Sequence, residues 1–284
     1  MPRRLPDWFK VRLPADDGEL KRVAALLRRH RLATVCTSAR CPNLAECWAC
    51  GTATIMILGR ECTRNCRFCA VSTSAHPAPP DPAEPEHVAQ AIRSLGLRYA
   101  VLTSVTRDDL LDHGAGHYAA TVSSIRGLCP DVTVELLIPD LAGRADLLQV
   151  ILEAHPHVVG HNLETVRRLT PLVRDARTSY DRSLTLLSLV ARSGTPAKTS
   201  LLLGLGETDD EVREALREAF DAGVRHVALG QYLAPSTSHA PVARYLAPEE
   251  FTSLGDYARS LGYHSVASAP KVRSSYRAEE FVTI

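Results

Sequence analysis

Three cysteines, Cys62, Cys66 and Cys69, stand close together, with three and then two residues between them. Three thiolates on one short loop can bind three irons of a [4Fe–4S] cluster, which usually takes four cysteine ligands. The spacing therefore predicts a cluster with one iron open to an outside ligand. The alternative is a zinc site completed by a distant histidine, although structural zinc sites are normally built from C-x2-C pairs.

A second triplet precedes the first and consists of Cys36, Cys41 and Cys47. Seven of the eight cysteines fall within residues 36–69, and in a reducing compartment such crowding favours metal thiolates over disulfides. A second cluster could transfer electrons, bind substrate or give up sulfur, and the spacing does not choose among these. Buried structural cysteines are the alternative, and packing is the role we expect for Cys50 and Cys129.

The composition is that of a globular protein, with 45% hydrophobic and 23% charged residues. The formal net charge is +1, and the basic residues of segment 21–31 alternate with leucines at helical spacing, which indicates a solvated helix face. No apolar run approaches the roughly 18 residues of a membrane span, and no apolar signal core follows the basic N-terminus. We therefore expect a cytoplasmic protein that binds neither nucleic acid nor membrane.

Hydrophobic runs that alternate with amphipathic stretches predict strands separated by helices. The predicted strands are 52–58, 99–103, 132–137, 157–160, 198–203 and 226–229, with a further short strand at 263–267. The predicted helices are 17–32, 85–97, 116–127, 144–154, 164–170, 180–193, 208–222 and 248–261. Six strand–helix units favour a parallel sheet of right-handed βαβ units and are too few for a closed eight-stranded barrel. The sequence predicts an α/β fold, a partial (β/α)6 barrel of parallel strands with N- and C-terminal extensions.

Three parts are expected along the chain. Residues 1–51 form an N-terminal extension with the second triplet, residues 52–245 form the partial barrel, and residues 246–284 form a C-terminal helix and tail.

Several polar residues follow the carboxyl ends of predicted strands, where barrels of this kind carry their functional residues. They are Thr103, Ser104, Asn162, Glu164 and Glu207, and the loop of the first triplet has the same placement. All of them would face one mouth of the barrel. Asn162 could instead cap the helix expected from Glu164, and the glycines before Glu207 could serve a tight turn.

The first triplet, with Phe68 just before its last cysteine, resembles the radical S-adenosylmethionine superfamily. The resemblance implies that S-adenosylmethionine binds the open iron and that one electron from the cluster releases a 5′-deoxyadenosyl radical. The cofactor supplies that chemistry, and the protein supplies orientation and exclusion of water. Contacts to S-adenosylmethionine are implied for Phe68, Thr103, Ser104, Asn162, Glu164, Arg174 and Glu207.

Longer motifs resemble the lipoyl synthase family, in order along most of the chain. They are Cys41–Trp48, Thr52–Gly59, Cys62–Val71, Val101–Leu110, His161–Thr165, Gly204–Thr208, Gly230–Leu233 and Arg273–Tyr276. By this resemblance the enzyme would insert two sulfurs, at C6 and C8, into an octanoyl chain carried on a protein lysine. A second [4Fe–4S] cluster on Cys36, Cys41 and Cys47 would be the sacrificial sulfur source.

The resemblance also implies a fourth ligand for the second cluster, which we assign to Ser275, with Ser274 as the second choice. A hard alkoxide oxygen suits a soft iron–sulfur site less well than thiolate does, so such a cluster could release an iron more readily.

Partners are implied in the same way. The octanoyl chain would be carried on lipoyl-carrier domains, in the E2 subunits of 2-oxoacid dehydrogenases or the H protein of glycine cleavage, and flavodoxin or ferredoxin would donate electrons. An acidic carrier would meet a basic rim, for which Lys271, Arg273 and Arg277 are candidates.

Overall fold

The computed structural model describes residues 5–10, 18–39, 41, 43–49, 54–276 and 278–281. The strands are β1 (Ala33–Thr34), β2 (Thr54–Ile57), β3 (Glu61–Cys62), β4 (Ser72–Thr73), β5 (Tyr99–Ser104), β6 (Thr133–Leu137), β7 (Val158–Gly160), β8 (Ala197–Leu203), β9 (His226–Gln231) and β10 (Ser265–Ser268). Eight of them form one sheet in the order β1-β2-β5-β6-β7-β8-β9-β10, while β3 and β4 pair separately.

The main sheet is parallel from β2 to β10, and β1 lies antiparallel to β2. From β2 onwards, neighbouring strands of this sheet follow chain order, as successive βαβ units require. Across the described ranges the sheet ends at β1 on one side and at β10 on the other. The predicted partial barrel of parallel strands is confirmed.

The helices are α1 (Gly18–Arg29), α2 (Val35–Ser38), α3 (Leu44–Ala49), α4 (Glu84–Leu95), α5 (Ala115–Leu128), α6 (Ala145–Glu153), α7 (Thr170–Val173), α8 (Tyr180–Arg192), α9 (Asp209–Asp221), α10 (Pro248–Leu261) and α11 (Ala278–Phe281), with 3-10 turns at Asp7–Phe9 and Leu141–Gly143. Long helices alternate with the strands from β5 onwards. None of the described helices combines the length and the apolar character that crossing a membrane requires.

Local signals set several helix ends. The hydroxyl of Thr208 accepts from the amide of Glu211, whose carboxylate accepts from the amide of Thr208, so a capping box starts α9. The hydroxyl of Ser179 accepts from the amide of Arg182 and so caps the start of α8. Gly96, with φ of 68°, ends α4 in the left-handed conformation that glycine adopts without strain.

The helix predicted for residues 164–170 is wrong. Glu164 has φ of 67° and pairs with Leu201 as an isolated bridge, because its amide donates to the carbonyl of Ser200 rather than to a helical turn. The helix begins later, at Thr170. Asn162 therefore caps no helix at this point. The predicted starts at residues 17 and 52 lie outside the described residues.

Side chains alternate between the two faces of the barrel strands, as the period of two requires. On β5, Tyr99, Val101 and Thr103 line an interior cavity, whereas Ala100 and Leu102 are buried in the main hydrophobic core. The inward residues therefore build the site, and the outward ones attach the helices.

A buried ion pair lies inside the barrel near the amino end of β5. The ammonium of Lys198 lies 2.8 and 3.0 Å from the two carboxylate oxygens of Glu135, and the Tyr99 hydroxyl donates to the same carboxylate at 2.5 Å. Burial and the charge of Glu135 raise the pKa of Tyr99, so the phenol stays protonated. This group links β5, β6 and β8, and a buried pair of this kind fixes packing more than it adds stability.

Candidate active site

A cavity of about 720 Å³ occupies the interior of the barrel, and both cysteine triplets line it. Its other walls come from the inward residues of the strands and from the C-terminal segment 273–276. The six cysteines are free thiols. The two groups that the sequence places in different motifs therefore face one common space.

The two triplets lie at opposite ends of strand β2. Cys62 follows the carboxyl end of β2, whereas Cys36 follows Thr34, which pairs antiparallel with Ile55 near the amino end of β2. From Thr54 to Ile57 the strand rises about 10 Å, at roughly 3.3 Å per residue. Chemistry at one end would thus be separated from chemistry at the other by the depth of the barrel.

Backbone amides point at the sulfurs of the first triplet. The amides of Arg64 and Thr106 donate to Cys62 Sγ at 3.4 and 3.3 Å, and the amide of Asp175 donates to Cys66 Sγ at 3.3 Å. The donor from Asp175 favours the thiolate of Cys66 over its thiol. Bound iron needs thiolates, so the donor set fits a cluster.

Burial acts in the opposite direction on these thiols. It raises the pKa of Cys66, and it raises the pKa of Cys69 to about 12, with the neighbouring Cys66 and the Glu164 carboxylate adding to the rise. Such sulfurs ionise when a cation replaces the proton, which is how metal binding and proton release are coupled.

A buried arginine holds the loop of the first triplet in place. Arg64 donates to both carboxylate oxygens of Asp108, at 2.9 and 2.8 Å, and lies 2.8 Å from Asp140. Asp108 follows β5 and Asp140 follows β6, so the loop is attached to two strand ends. These carboxylates neutralise the Arg64 guanidinium, whose side chain is only 5% exposed. In return, Arg64 lowers the pKa of each carboxyl group against the effect of burial. The sequence did not predict this cluster, although Asp108 lies within the motif Val101–Leu110.

Of the residues expected to contact S-adenosylmethionine, most line the cavity together. They are Phe68, Thr103, Ser104, Asn162, Glu164 and Arg174. Glu207 does not join them, because its carboxylate accepts from the amides of Gly204 and Leu205 at 2.5 and 2.9 Å. Its carboxylate thus closes a tight turn after β8, and its contact with S-adenosylmethionine stays a prediction.

Asn162 and Glu164 form a hydrogen-bonded pair at the end of β7. The side-chain amide of Asn162 donates to Glu164 Oε1 at 3.1 Å. Burial raises the pKa of Glu164, and the positive charge of Arg174 opposes this rise. The pair combines an amide and a carboxylate, which can both bind an ammonium group.

Buried polar residues hold the guanidinium of Arg174 in place. Its guanidinium donates to Ser183 Oγ at 3.1 Å, and Ser183 lies 2.9 Å from His161 Nε2. Burial lowers the pKa of His161 to about 4, so the ring is neutral. The Nε of Arg174 is buried without a hydrogen-bond partner among the described residues.

The second triplet is placed by short local elements. Thr34 caps α2, which carries Cys36, and the amide of Cys41 donates to the Cys36 carbonyl at 2.9 Å. The amide of Cys47 in α3 donates to the carbonyl of Asn43 at 2.9 Å.

The C-terminal segment closes on this second triplet. The Asn43 side chain donates to the Lys271 carbonyl at 2.7 Å, and the Tyr276 hydroxyl donates to Glu46 at 2.6 Å. The Thr54 hydroxyl donates to Ser275 Oγ at 2.7 Å. Ser275, which the sequence assigns as a ligand, therefore lines the cavity beside the second triplet.

Arg273 lies within the cavity wall. Burial lowers the pKa of its guanidinium, and the charge of Cys41 opposes that effect. Gly230 makes room for the segment, because a Cβ there would lie 1.9 Å from the Val272 carbonyl oxygen. This corrects the expectation that Arg273 belongs to an outer rim. Arg277 lies outside the described residues.

Two cysteines, Cys50 and Cys129, belong to neither triplet. Cys129 is partly buried and packs against the core, away from the cavity, which agrees with a packing role. Cys50 lies outside the described residues. Among those described, no three His, Cys, Asp or Glu side chains converge on a single metal-sized point, whereas thiolates of a [4Fe–4S] cluster each bind a different iron.

Comparisons with known proteins agree with this site. Residues 56–219 match the model of the Radical SAM superfamily. The chain is 50% identical to a lipoyl synthase of Myxococcus xanthus, over 98% of this chain and 93% of that protein, and 52% identical to a lipoyl synthase of Methylococcus capsulatus, over 100% and 88%. The structure of methylornithine synthase (PylB) shares the fold, with a TM-score of 0.58 and 14% identity over 72% of this chain and 61% of that one. The chain belongs to the lipoyl synthase family, within the radical SAM superfamily.

Proposed function

We propose that this protein inserts two sulfur atoms, at C6 and C8, into an octanoyl chain carried on a lysine of a lipoyl-carrier domain. The observation that carries the proposal is the single cavity with a cysteine triplet at each end. Membership of the lipoyl synthase family supports the same reaction.

Cys62, Cys66 and Cys69 would hold the cluster that binds S-adenosylmethionine. When bound, the cluster and S-adenosylmethionine together would supply a primary carbon radical able to remove hydrogen from the unactivated C6 methylene and C8 methyl groups. The chain itself would orient the cofactor: Asn162 and Glu164 offer an amide and a carboxylate, and Arg174, which lines the same cavity, offers a positive charge for a carboxylate. Arg64 keeps the cysteine loop in register with the strand ends.

Cys36, Cys41 and Cys47, with Ser275, would hold the auxiliary cluster that gives up sulfur. Three cysteine sulfurs and one hydroxyl line this end of the cavity. The hydroxyl oxygen is the harder ligand and matches soft iron–sulfur chemistry less well. A cluster that must lose iron in order to release sulfide would do so more readily with one weaker ligand.

Between the two ends, the strands supply apolar inward side chains. Met56, Val101 and Leu202 line this stretch of the cavity. An apolar wall suits an alkyl chain and excludes water, which protects a reactive radical. The octanoyl chain would lie against this wall with its reactive carbons between the two sites.

The partners follow from the substrate. Octanoylated E2 subunits of 2-oxoacid dehydrogenases and the glycine cleavage H protein would present the chain, and flavodoxin or ferredoxin would supply the electron. Lys271, whose ammonium lies in an exposed contact with the Lys10 carbonyl, remains a candidate for the rim that meets a carrier.

An anaerobic assay tests the proposal. Protein loaded with iron and sulfide is mixed with reductant, S-adenosylmethionine and an octanoyl-lysine peptide, and the peptide is followed by mass spectrometry. We expect the lipoyl form together with 5′-deoxyadenosine. Formation of 5′-deoxyadenosine without any gain of sulfur in the peptide would overturn sulfur insertion and leave the radical chemistry standing.

A further inference from the structure

Thr54, the first residue of β2, contacts one of the four residues expected to bind the auxiliary cluster. Its hydroxyl donates to Ser275 Oγ at 2.7 Å. Ser275 is 221 positions away along the chain. One buried residue of the sheet thus contacts an expected ligand of the C-terminal segment.

Strand pairing fixes the position of Thr54. The strands β1 and β2 pair with Thr34 opposite Ile55, and Thr34 is the N-cap of the helix that carries Cys36. Thr54 itself pairs with Val101 of β5. Because it lies in the sheet, one residue before the pairing of β2 with β1, Thr54 is a fixed reference point for Ser275.

The direction of the hydroxyl bond suits a ligand role for Ser275. Thr54 is the donor and the serine oxygen is the acceptor. Ser275 can therefore lose its own proton and keep this contact, and a donor to a charged oxygen forms a stronger bond than a donor to a neutral one.

We propose that Thr54 is a positioning residue of the auxiliary site, which orients Ser275 through its hydroxyl so that the serine oxygen faces the cavity. This inference rests on the proposed function, since it requires a cluster on Cys36, Cys41, Cys47 and Ser275. Residues that orient metal ligands change metal affinity by about 10–100-fold when they are lost, so removing the hydroxyl should loosen the cluster.

The test measures the rate at which a ferrous chelator removes iron from the anaerobic, fully loaded protein. Thr54→Val keeps the shape of a β-branched residue that strands favour and removes the donor, whereas Thr54→Ser keeps the donor. Thr121→Val is the matched control, because Thr121 is also buried and its hydroxyl bonds to the His117 carbonyl on α5, outside the cavity lining. A variant with Cys36, Cys41 and Cys47 all replaced by alanine identifies which iron belongs to the auxiliary site.

We expect Thr54→Val to release auxiliary iron about tenfold faster than the unmodified protein, with Thr54→Ser and Thr121→Val within about twofold of it. Equal release from Thr54→Val and the unmodified protein would overturn the inference, even if the thermal stability of the variant fell. Release from Thr54→Ser as fast as from Thr54→Val would overturn it as well. If the triple-alanine variant kept all the iron and sulfide of the unmodified protein, the auxiliary cluster itself, and with it the proposed sulfur source, would be refuted.

Discussion

The hydroxyl of Ser274 donates to Oδ1 of Asn162 at 3.1 Å. Asn162 follows β7 at the carboxyl end of the barrel, where the first triplet lies. The next residue, Ser275, accepts instead from Thr54 at the amino end of β2. Two adjacent serines of the C-terminal segment thus contact opposite ends of one cavity.

Substitution of the two serines should therefore give different results. Ser275→Ala should retain 5′-deoxyadenosine formation and lose most sulfur insertion, since it removes an auxiliary ligand. Ser274→Ala should raise the KM for S-adenosylmethionine about fivefold, because one hydrogen bond that orients Asn162 contributes about 1 kcal/mol. Product analysis by mass spectrometry at several cofactor concentrations measures both. Identical behaviour of the two variants would argue against this division.

The two cysteine triplets should also separate in their effects. Alanine at Cys62, Cys66 or Cys69 should abolish cleavage of S-adenosylmethionine, whereas alanine at Cys36, Cys41 or Cys47 should leave part of it and stop sulfur insertion. Iron and sulfide analysis should give about eight of each for two clusters and about four when one is lost. Loss of cleavage to the same extent in both sets would contradict the assignment of roles.

Arg64 should be important for the stability of the protein as well as for its activity. Replacement by methionine leaves Asp108 and Asp140 with only the longer contacts to the partly exposed Arg177 and Arg182. Breaking a buried pair costs about 3–5 kcal/mol, and we expect a loss toward the lower end of that range. Arg259→Met, which removes an exposed pair with Asp256, should change the free energy of unfolding by at most about 1 kcal/mol. Denaturant titration of the two variants without clusters compares them. Similar losses would show that the Arg64 network contributes no more than a surface pair.

Stability should fall in mild acid because of buried neutral histidines. Burial, with the charges of Lys198 and His264, lowers the pKa of His226 from 6.5 to about 4, so the unfolded chain takes up a proton first as the pH falls. The stability that the neutral His226 ring contributes is nearly complete above pH 6.5 and declines toward pH 4. The loss in unfolding free energy between pH 7 and pH 5 is about 2 kcal/mol. His226→Leu should reduce the loss of unfolding free energy over this range by that amount. A pH dependence unchanged in the variant would refute the low pKa.

Much of the barrel could be predicted from the sequence, because its strands are apolar runs separated by long amphipathic helices. Strand β1 could not, since two residues carry no periodicity and Ala33 and Thr34 form a strand through pairing with β2. The false helix at 164–170 has a different cause. The segment has helical composition, but Glu164 adopts a left-handed conformation and continues the sheet.

The site was predictable where the ligands are close together along the chain. Loops at the carboxyl ends of strands converge by the rule for barrels, and this rule places Thr103, Asn162 and Glu164 correctly in the cavity. Glu207 also follows a strand, but its carboxylate accepts from the amides of its own turn and it is not among the residues that line the cavity. The opposite end depends on contacts between distant residues, such as Thr54 with Ser275, which no local pattern indicates.

The most direct measurement of the central claim follows the origin of the inserted sulfur. Protein whose clusters contain a heavy sulfur isotope is mixed anaerobically with S-adenosylmethionine, reductant and the octanoyl peptide, in buffer with unlabelled sulfide, and one turnover is analysed by mass. We predict a lipoyl peptide in which both sulfurs carry the heavy isotope, with no labelled product from the variant that lacks Cys36, Cys41 and Cys47. A product that contains unlabelled sulfur, or equal labelled product from that variant, would contradict an auxiliary cluster as the sulfur source.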